Sequence, residues 1–266
     1  MGVNWADLTC VVTGASSGIG LEACRAFAAR GAAVIAVARR QERLEALVDE
    51  LGSARNSWVV CDVSDLASVR AMAAEVAGRT GHVDVLLNNA GIRSSGRLTR
   101  TTSEGMEQVI RTNLLGGIWV TRELLTLLEA APRTPRTPVI VNLASMAGRL
   151  PTPKASDYAA SKFGMVGFTE SLWHDVAPKG IRVMMVNPGL IDTEGFSMAK
   201  AKASKALAWA VMEPPRVVAA MIRGIERGAF EVRVQWWMHA LYHGAVTIGP
   251  ARRSIAGLIR RKVSSQ

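Results

Sequence analysis

Cysteine, long apolar runs and acidic residues are all scarce in this chain of 266 residues. Its three cysteines, Cys10, Cys24 and Cys61, are too few and too scattered for a disulfide framework, and no Cys-x-x-Cys pair or Cys/His cluster predicts a metal site. No stretch reaches the roughly 18 uncharged apolar residues that a membrane-spanning helix needs. The N-terminal residues lack the basic start and apolar run of a signal peptide. These absences predict a cytoplasmic protein without a metal, whose thiols are buried in a reducing compartment.

Basic residues outnumber acidic ones by 32 to 22, which gives a net charge of +10. Much of the excess lies late, because residues 192–266 hold 12 basic and 5 acidic residues and residues 251–266 hold five basic and no acidic ones. A basic tail indicates an anionic partner, either a membrane surface or nucleic acid, or else a solvated tail that keeps the protein soluble. No reading motif accompanies the charge, so nucleic acid is not expected.

Short apolar, β-branched runs alternate with longer amphipathic stretches along the chain. The predicted strands are Leu8–Val12, Ala33–Val37, Ser57–Cys61, Asp84–Leu87, Pro138–Leu143, Ile181–Val186 and Phe230–Gln235. The predicted helices cover about 18–30, 41–51, 65–79, 103–130, 157–178 and 214–227. Nearly continuous apolar strands are expected where helices cover both faces of a parallel sheet. The pattern therefore predicts an α/β fold, with one doubly wound seven-stranded parallel sheet in a single domain over 1–235.

A glycine-rich turn joins the first predicted strand to the first predicted helix. It reads Thr13-Gly-Ala-Ser-Ser-Gly-Ile-Gly20, with glycine at 14, 18 and 20. Missing side chains let the chain turn tightly and let a helix N-terminus approach a pyrophosphate. The spacing differs from the usual G-x-G-x-x-G pattern, but its place between strand and helix favours dinucleotide binding over a plain turn.

The second predicted strand ends in Val37-Ala-Arg-Arg40, where an NAD-binding chain would carry an acid. Two guanidinium groups attract a 2′-phosphate, so the sequence favours NADP(H) over NAD(H). The alternative is that Arg39 and Arg40 are a solvated helix start, although basic residues oppose the dipole at a helix N-terminus.

Tyr158 and Lys162 form a Tyr-x-x-x-Lys pair on a predicted helix, where residues four apart share a face. An ammonium group beside a phenol should lower the pKa of Tyr158 from about 10 and make it a proton donor or acceptor near neutral pH. Ser145 follows the fifth strand, at the crevice edge of a doubly wound sheet. Asn113 lies inside the predicted helix 103–130, and Asn88 and Asn89 follow the fourth strand.

With these segments in order, the chain resembles the short-chain dehydrogenase/reductase family over about residues 5–235. The matching segments are Thr13–Gly20, Asp62, Asn88–Gly91, Asn113, Ser145, Tyr158-x-x-x-Lys162 and Pro188–Thr193. The resemblance implies that Tyr158 is the acid/base, that Lys162 assists it and holds the nicotinamide ribose, that Ser145 orients the substrate oxygen, and that Asn113 holds a water of a proton relay.

The same resemblance implies a set of cofactor contacts along the chain. They are Gly14, Ser16, Ser17, Gly18, Ile19 and Gly20 at the pyrophosphate; Arg39 and Arg40 at the 2′-phosphate; Asp62 and Val63 at the adenine; Asn89, Ala90 and Gly91 on the adenosine side; and Tyr158, Lys162, Pro188, Gly189, Ile191 and Thr193 at the nicotinamide end. The implied activity is NADP(H)-dependent interconversion of a carbonyl and an alcohol. A non-catalytic dinucleotide sensor or scaffold, and an epimerase or dehydratase, are the alternatives.

Two late segments are individual to this chain. Residues 194–213, called the lid segment below, hold apolar side chains that favour an apolar substrate or, equally, interface packing. Residues 236–266 form an apolar and basic C-terminal extension with Trp236, Trp237 and a basic amphipathic stretch. Such a segment suits peripheral membrane binding. It also suits packing on a neighbouring subunit, because members of the family commonly form homodimers or homotetramers.

Overall fold

Seven apolar runs pair side by side in one parallel sheet of the computed structural model, which describes residues 3–93, 96–132, 138–150, 153–203, 208–235 and 237. The strands are β1 (Thr9–Thr13), β2 (Ala33–Ala38), β3 (Ser57–Val60), β4 (Val85–Asn88), β5 (Val139–Leu143), β6 (Arg182–Asn187) and, last in the chain, β9 (Glu231–Arg233). Their order across the sheet is β3-β2-β1-β4-β5-β6-β9. The predicted doubly wound parallel sheet is confirmed.

Helices cover both faces of this sheet. They are α1 (Gly18–Ala28), α2 (Gln41–Leu51), α3 (Leu66–Arg79), α4 (Ser103–Ile110), α5 (Gly116–Glu123), α6 (Leu125–Glu129), α7 (Ser156–Val176), α8 (Ala199–Ala203) and α9 (Pro214–Arg227). Alternate residues of β1 enter opposite cores: Val12 packs with Phe27 and Met221 of α1 and α9, whereas Val11 packs with Met72 and other residues of α3, α5 and α7. Both faces of each central strand are therefore buried, as the continuous apolar runs predicted.

Two local features depart from the sequence prediction. The helix expected over 103–130 forms over 103–129 but is not uniformly α-helical, because a π-helical turn at Arg111–Leu115 lies between α4 and α5, and Leu124 departs from helical geometry before α6. The side chain of Asn113, in the π-helical turn, bonds the backbone of Ile92. A short parallel pair, β7 (Leu190–Ile191) and β8 (Val211–Met212), also forms across the base of the lid segment.

Polar side chains form a buried line across the middle of the sheet. Asn88 and Asn142 are register partners on β4 and β5, and the amide nitrogen of Asn88 donates to both Asn142 Oδ1 and Thr121 Oγ1 at 2.8 Å. Asn142 in turn donates to Thr169 Oγ1 at 3.0 Å. This polar line joins α5, β4, β5 and α7 directly beneath the carboxyl edge of the sheet.

The strand order reverses between β1 and β4, and this reversal opens a crevice at the carboxyl ends of the strands, where ligands bind in open α/β sheets. Asn89 ties the two strand ends together, since its amide nitrogen donates to the carbonyl oxygens of Thr13 at 2.8 Å and Gly14 at 3.2 Å.

Within the described residues, no helix is long and apolar enough to cross a membrane. The predicted C-terminal extension, 236–266, lies outside the described residues except for Trp237, whose ring centroid is 5.6 Å from that of Trp209 in the lid segment.

Candidate active site

One cleft of about 390 Å³ runs along the carboxyl edge of the sheet from β3 to β6. Of the residues predicted as catalytic or cofactor-binding, the cleft is lined by Gly14, Ser16, Ser17, Gly18, Ile19, Arg39, Arg40, Asp62, Val63, Asn89, Ala90, Gly91, Ser145, Tyr158, Lys162, Pro188, Gly189, Ile191 and Thr193. Gly20 and Asn113 stand behind this lining. The fold thus brings together residues separated by up to about 180 positions.

The glycine-rich turn has the geometry of an open cradle. Gly14 and Gly18 adopt φ angles of +68° and +57°, a conformation that glycine adopts without strain. Gly20 has a packing role instead, because a Cβ there would lie 2.3 Å from the carbonyl oxygen of Gly14. The turn exposes the hydroxyl-bearing residues Ser16 and Ser17 to the cleft at the start of α1.

Two arginines follow β2 and take different positions at the cleft. Arg39 is largely exposed, and its Nη1 lies 3.5 Å from Asp62 Oδ2 beyond β3. Arg40 reaches over the glycine-rich turn, where its Nη2 donates to the hydroxyl oxygens of Ser16 and Ser17 at 2.9 Å. Burial raises the pKa of Asp62, but bonds from Ser64 and the charge of Arg39 bring it below its ordinary value. One guanidinium group therefore lies on the turn, and the other lies beside Asp62 at the edge of the cleft.

A carboxylate from the lid segment completes this end of the cleft. Glu194 Oε1 lies 3.2 Å from Arg40 Nη1, and Glu194 Oε2 accepts a 2.6 Å bond from Arg43 Nη1 on α2. Hydrogen bonding from Arg43 is the largest influence on the pKa of Glu194, which lies below its ordinary value, so the carboxylate is charged at neutral pH. Neither Glu194 nor Arg43 was predicted as a site residue, because their contact spans 151 positions of chain and no local pattern announces it.

Tyr158 and Lys162 lie one turn apart on α7, at the opposite end of the cleft. The ammonium nitrogen of Lys162 is 5.8 Å from the ring centroid of Tyr158 and donates to the carbonyl oxygen of Leu143 at 2.8 Å. Burial lowers the pKa of Lys162 to about 8. Burial also raises the pKa of Tyr158, and hydrogen bonding with Ser145 opposes that rise. The expected lowering of the Tyr158 pKa by Lys162 is therefore wrong for this arrangement, since the ammonium group is directed at Leu143.

Ser145 and Asn113 are held by backbone partners. Ser145 follows β5 and its hydroxyl accepts a 3.1 Å bond from the amide of Ala147. Asn113, in the π-helical turn, accepts a 2.7 Å bond from the amide of Ile92 and returns a 2.8 Å bond to the carbonyl oxygen of the same residue. Its amide nitrogen also lies 3.3 Å from Ser161 Oγ, which donates to the carbonyl oxygen of Tyr158 at 2.7 Å. Asn113 thus links the strand-end loop to the helix that carries Tyr158.

Phe196 brings the lid segment next to Tyr158. Its ring centroid is 5.7 Å from that of Tyr158. Backbone bonds between Thr193 and Phe196 run in both directions, at 3.1 and 3.4 Å, and fold this part into a closed turn. The aromatic side chain therefore lines the cleft beside the phenol.

Other residues of the lining were not among the predicted catalytic or cofactor-binding residues, although the last four of them belong to the predicted lid segment. They are Ala38, Cys61, Ile92, Thr112, Leu143, Ala144, Glu194, Gly195, Phe196 and Met198. Several follow directly from strand ends, a position that could have drawn attention to them; the others meet the cleft only through tertiary packing. Among the residues that the structure describes, no group of three or more His, Cys, Asp or Glu side chains could hold a metal ion.

Comparison with known proteins agrees with this geometry. A family model for short chain dehydrogenases matches residues 8–204. A Streptomyces virginiae protein named as a ketoacyl reductase of a monensin polyketide synthase is 41% identical over 188 residues, which cover 69% of this chain and 70% of that protein. The 3-oxoacyl-(acyl-carrier-protein) reductase FabG of Escherichia coli is 34% identical over 192 residues, 72% of this chain and 77% of the reductase.

Solved structures share the fold over nearly the whole chain. A short-chain dehydrogenase from Streptomyces avermitilis has a TM-score of 0.78 at 29% identity and covers 96% of this chain and 97% of its own. One from Sphingobium yanoikuyae, solved in complex with NADPH, has a TM-score of 0.76 at 28% identity, covering 94% and 95%. The chain belongs to the short-chain dehydrogenase family. It is an oxidoreductase that uses a nicotinamide dinucleotide to interconvert a carbonyl and an alcohol.

Proposed function

We propose that this protein is an NADP(H)-dependent reductase of apolar ketones or aldehydes. The observation that carries the cofactor preference is the placing of Arg40 against Ser16 and Ser17, with Arg39 beside it, at the end of β2. Guanidinium groups recognise phosphate by paired, charge-assisted hydrogen bonds, so this arrangement favours a dinucleotide with a 2′-phosphate.

The cleft fits such a dinucleotide at both ends. Gly14 and Gly18 carry no side chain in the turn at the start of α1, and a helix N-terminus with serine hydroxyls beside it suits a pyrophosphate. Asp62 and Val63 would contact the adenine, and Asn89–Gly91 would support the adenosine side. At the other end, Pro188, Gly189, Ile191 and Thr193 would contact the nicotinamide. When bound, the reduced nicotinamide supplies the hydride that converts the carbonyl carbon to a carbinol.

The proton comes from the protein in this proposal. Tyr158 donates its phenolic proton to the substrate oxygen as negative charge builds there, and the Ser145 hydroxyl orients the same oxygen. Lys162, whose ammonium nitrogen lies 5.8 Å from the centroid of the Tyr158 ring, would hold the nicotinamide ribose beside the phenol. Asn113 belongs to the relay that restores the proton, and its link through Ser161 holds the backbone of Tyr158 in place. The intact set favours an enzyme over a sensor, which has no use for a proton path.

An apolar substrate is favoured by the part of the cleft next to Tyr158. Phe196, Met198 and Ile92 line it, and methionine adapts to varied shapes. Two of the relatives are named as reductases of ketoacyl or 3-oxoacyl groups, which combine a ketone with an apolar chain. A 3-oxoacyl thioester is therefore the first substrate class to test.

The decisive experiment compares NADPH and NADH with the purified full-length chain. Binding is measured by nucleotide fluorescence, and oxidation of each nucleotide is then followed with 3-oxoacyl thioesters, apolar ketones and small polar carbonyls. Tighter NADPH binding with turnover of the apolar members is the expected result. Equal binding of the two nucleotides would refute the cofactor preference, and tight binding without turnover of any carbonyl would favour the sensor.

We also propose domain bounds, an oligomeric state and a role for the C-terminal extension. Residues 1–235 would form the catalytic domain, with 194–213 as its lid segment. The chain would associate as a homodimer or homotetramer, and the extension 236–266 would bind either a membrane surface or the neighbouring subunit. Vesicle flotation and sedimentation of the full chain, with a form lacking 236–266 for comparison, separate these possibilities: lost flotation indicates the membrane, and a lower oligomeric state indicates the subunit.

A further inference from the structure

The contact between Glu194 and two arginines joins the lid segment to α2 across the mouth of the cleft. Glu194 gives one carboxylate oxygen to each guanidinium, at 3.2 Å for Arg40 and 2.6 Å for Arg43. The same Arg40 guanidinium contacts Ser16 and Ser17 of the glycine-rich turn. The carboxylate of Glu194 therefore neutralises the Arg40 guanidinium that contacts the glycine-rich turn.

Carboxylates and phosphates are alternative acceptors for the same guanidinium geometry. We propose that Glu194 is a specificity-determining residue: it competes with the 2′-phosphate of NADP(H) for Arg40 and Arg43, so that binding of this cofactor releases the lid segment from α2. The inference rests on the proposed function, because it assumes that the phosphate is recognised at this end of the cleft. It adds Arg43 to the phosphate-recognising groups and assigns Glu194 a role opposed to theirs.

The exposure of the three side chains makes the exchange possible. Between 43% and 55% of each side chain is accessible to solvent, and exposed ion pairs contribute little free energy because water and salt screen them. A phosphate monoester carries more charge than a carboxylate and three acceptor oxygens. The phosphate should therefore displace Glu194. The apparent affinity for NADP(H) is nevertheless lowered, because the cofactor must compete with Glu194 in those molecules in which the carboxylate holds the arginines.

The lid segment is built so that Glu194 can leave without unfolding its surroundings. The neighbouring turn is closed by its own backbone bonds between Thr193 and Phe196. The next anchor is separate, because Lys202 pairs with Asp192 at 2.6 Å and Glu213 at 2.7 Å and touches neither arginine. Release of Glu194 thus breaks only its two ion pairs, with Arg40 and Arg43, and the turn that carries Phe196 stays intact.

The test measures dissociation constants of NADPH and NADH by fluorescence titration of the full chain, in the wild type and in Glu194→Gln. The ratio of the NADH constant to the NADPH constant should rise about 3- to 10-fold in Glu194→Gln, because a surface charge contact of this kind is removed. Glu213→Gln is the matched control: it removes a carboxylate of the same segment that pairs with Lys202 and with neither arginine, and its ratio should stay within about twofold of the wild type. Titration with 2′,5′-ADP and 5′-ADP should repeat both results without a nicotinamide ring.

An unchanged ratio in Glu194→Gln would overturn the inference. A fall in the ratio would also overturn it, since Glu194 would then prepare the arginines for phosphate. Failure of the proposed function looks different: the wild type would bind both nucleotides alike, and Arg40→Ala would weaken both equally. If Arg40→Ala removes an NADPH preference that Glu194→Gln leaves unaltered, the proposed function stands and only the role of Glu194 fails.

Discussion

The two ends of the cleft hold their functional side chains by different means. At the catalytic end, buried groups are fixed by backbone partners: Lys162 by the carbonyl of Leu143 and Asn113 by both polar atoms of the Ile92 backbone. At the β2 end, half-exposed charges are held mainly by one another, as in the contacts of Glu194 with Arg40 and Arg43.

Backbone partners do not titrate, and buried contacts are screened little by salt, whereas exposed ion pairs are weak and exchangeable. If the proposed roles are right, the groups for the chemistry have a fixed geometry and those for cofactor recognition an adjustable one. Each variant below tests one side of that contrast.

The largest effect is expected from Tyr158→Phe. The change keeps the ring and its contact with Phe196 but removes the proton donor, so kcat should fall by about 100- to 10,000-fold while NADPH binding persists. Stopped-flow or steady-state oxidation of NADPH measures the first quantity and fluorescence titration the second. Tyr242→Phe, at the only other tyrosine, is the control. Substantial remaining turnover would remove Tyr158 from its proposed role.

A smaller loss is expected at the charged end. Arg40→Ala should weaken NADPH binding about 10- to 100-fold and NADH binding far less, since charge-assisted hydrogen bonds are lost only with the phosphate-bearing nucleotide. Arg39→Ala should act in the same direction but more weakly, because that side chain is 61% exposed and only loosely paired. Raising the salt concentration should narrow the NADPH preference of the wild type. Equal loss of both nucleotides in Arg40→Ala would contradict the prediction.

Burial of Lys162 should cost stability in a pH-dependent way. Its pKa falls from 10.5 to about 8 on folding, so between these values the unfolded chain binds more protons, and the cost present below pH 8 fades as pH rises towards 10.5. At pH 7 the free energy of unfolding of Lys162→Met should therefore exceed that of the wild type by roughly 1–3 kcal/mol. Denaturant unfolding of both proteins across this pH range gives the difference. If the extra stability of Lys162→Met over the wild type grew as the pH rose, the prediction would be contradicted.

The last prediction compares the effects on stability of alanine substitutions at two glycines. Gly78 is exposed near the end of α3 with no atom within 4 Å of an added Cβ, so Gly78→Ala should stabilise the fold by about 0.4–1 kcal/mol. Gly20→Ala should destabilise it, because the added Cβ would meet the backbone of Gly14 at 2.3 Å. Thermal unfolding distinguishes the two. A stabilising Gly20→Ala would show that the glycine-rich turn is not tightly packed.

Prediction from sequence succeeded where a residue's position follows from a short local pattern. The alternation of strands and helices predicted the sheet, and residues at strand ends such as Ser145 had to meet at its carboxyl edge. The β2 ending at Ala38-Arg39-Arg40 likewise placed two cations at the cleft. These are consequences of period and connectivity, which a single sequence displays.

The sequence did not reveal what depends on contacts between distant segments. The π-helical turn at Arg111–Leu115 holds Asn113 in its bond with Ile92, and helical propensity carries no sign of either. The Tyr158 pKa departed from expectation because burial raises it, while the ammonium group of Lys162 bonds the end of β5. No sequence pattern distinguishes Glu194 from other acidic residues, and its contact with Arg43 of α2 is visible only in the fold.

The polar line through Asn88, Asn142 and Thr169 has a consequence for strand alignment. Each amide meets its acceptor only while β4 and β5 keep their pairing of Asn88 opposite Asn142. A slip of one residue would turn these side chains to the opposite core and leave buried amides without partners, at the cost of an unsatisfied polar group. The alignment of the two strands can change only in whole-residue steps, each strongly disfavoured. The position of Ser145, two residues beyond β5, is therefore fixed relative to the end of β4.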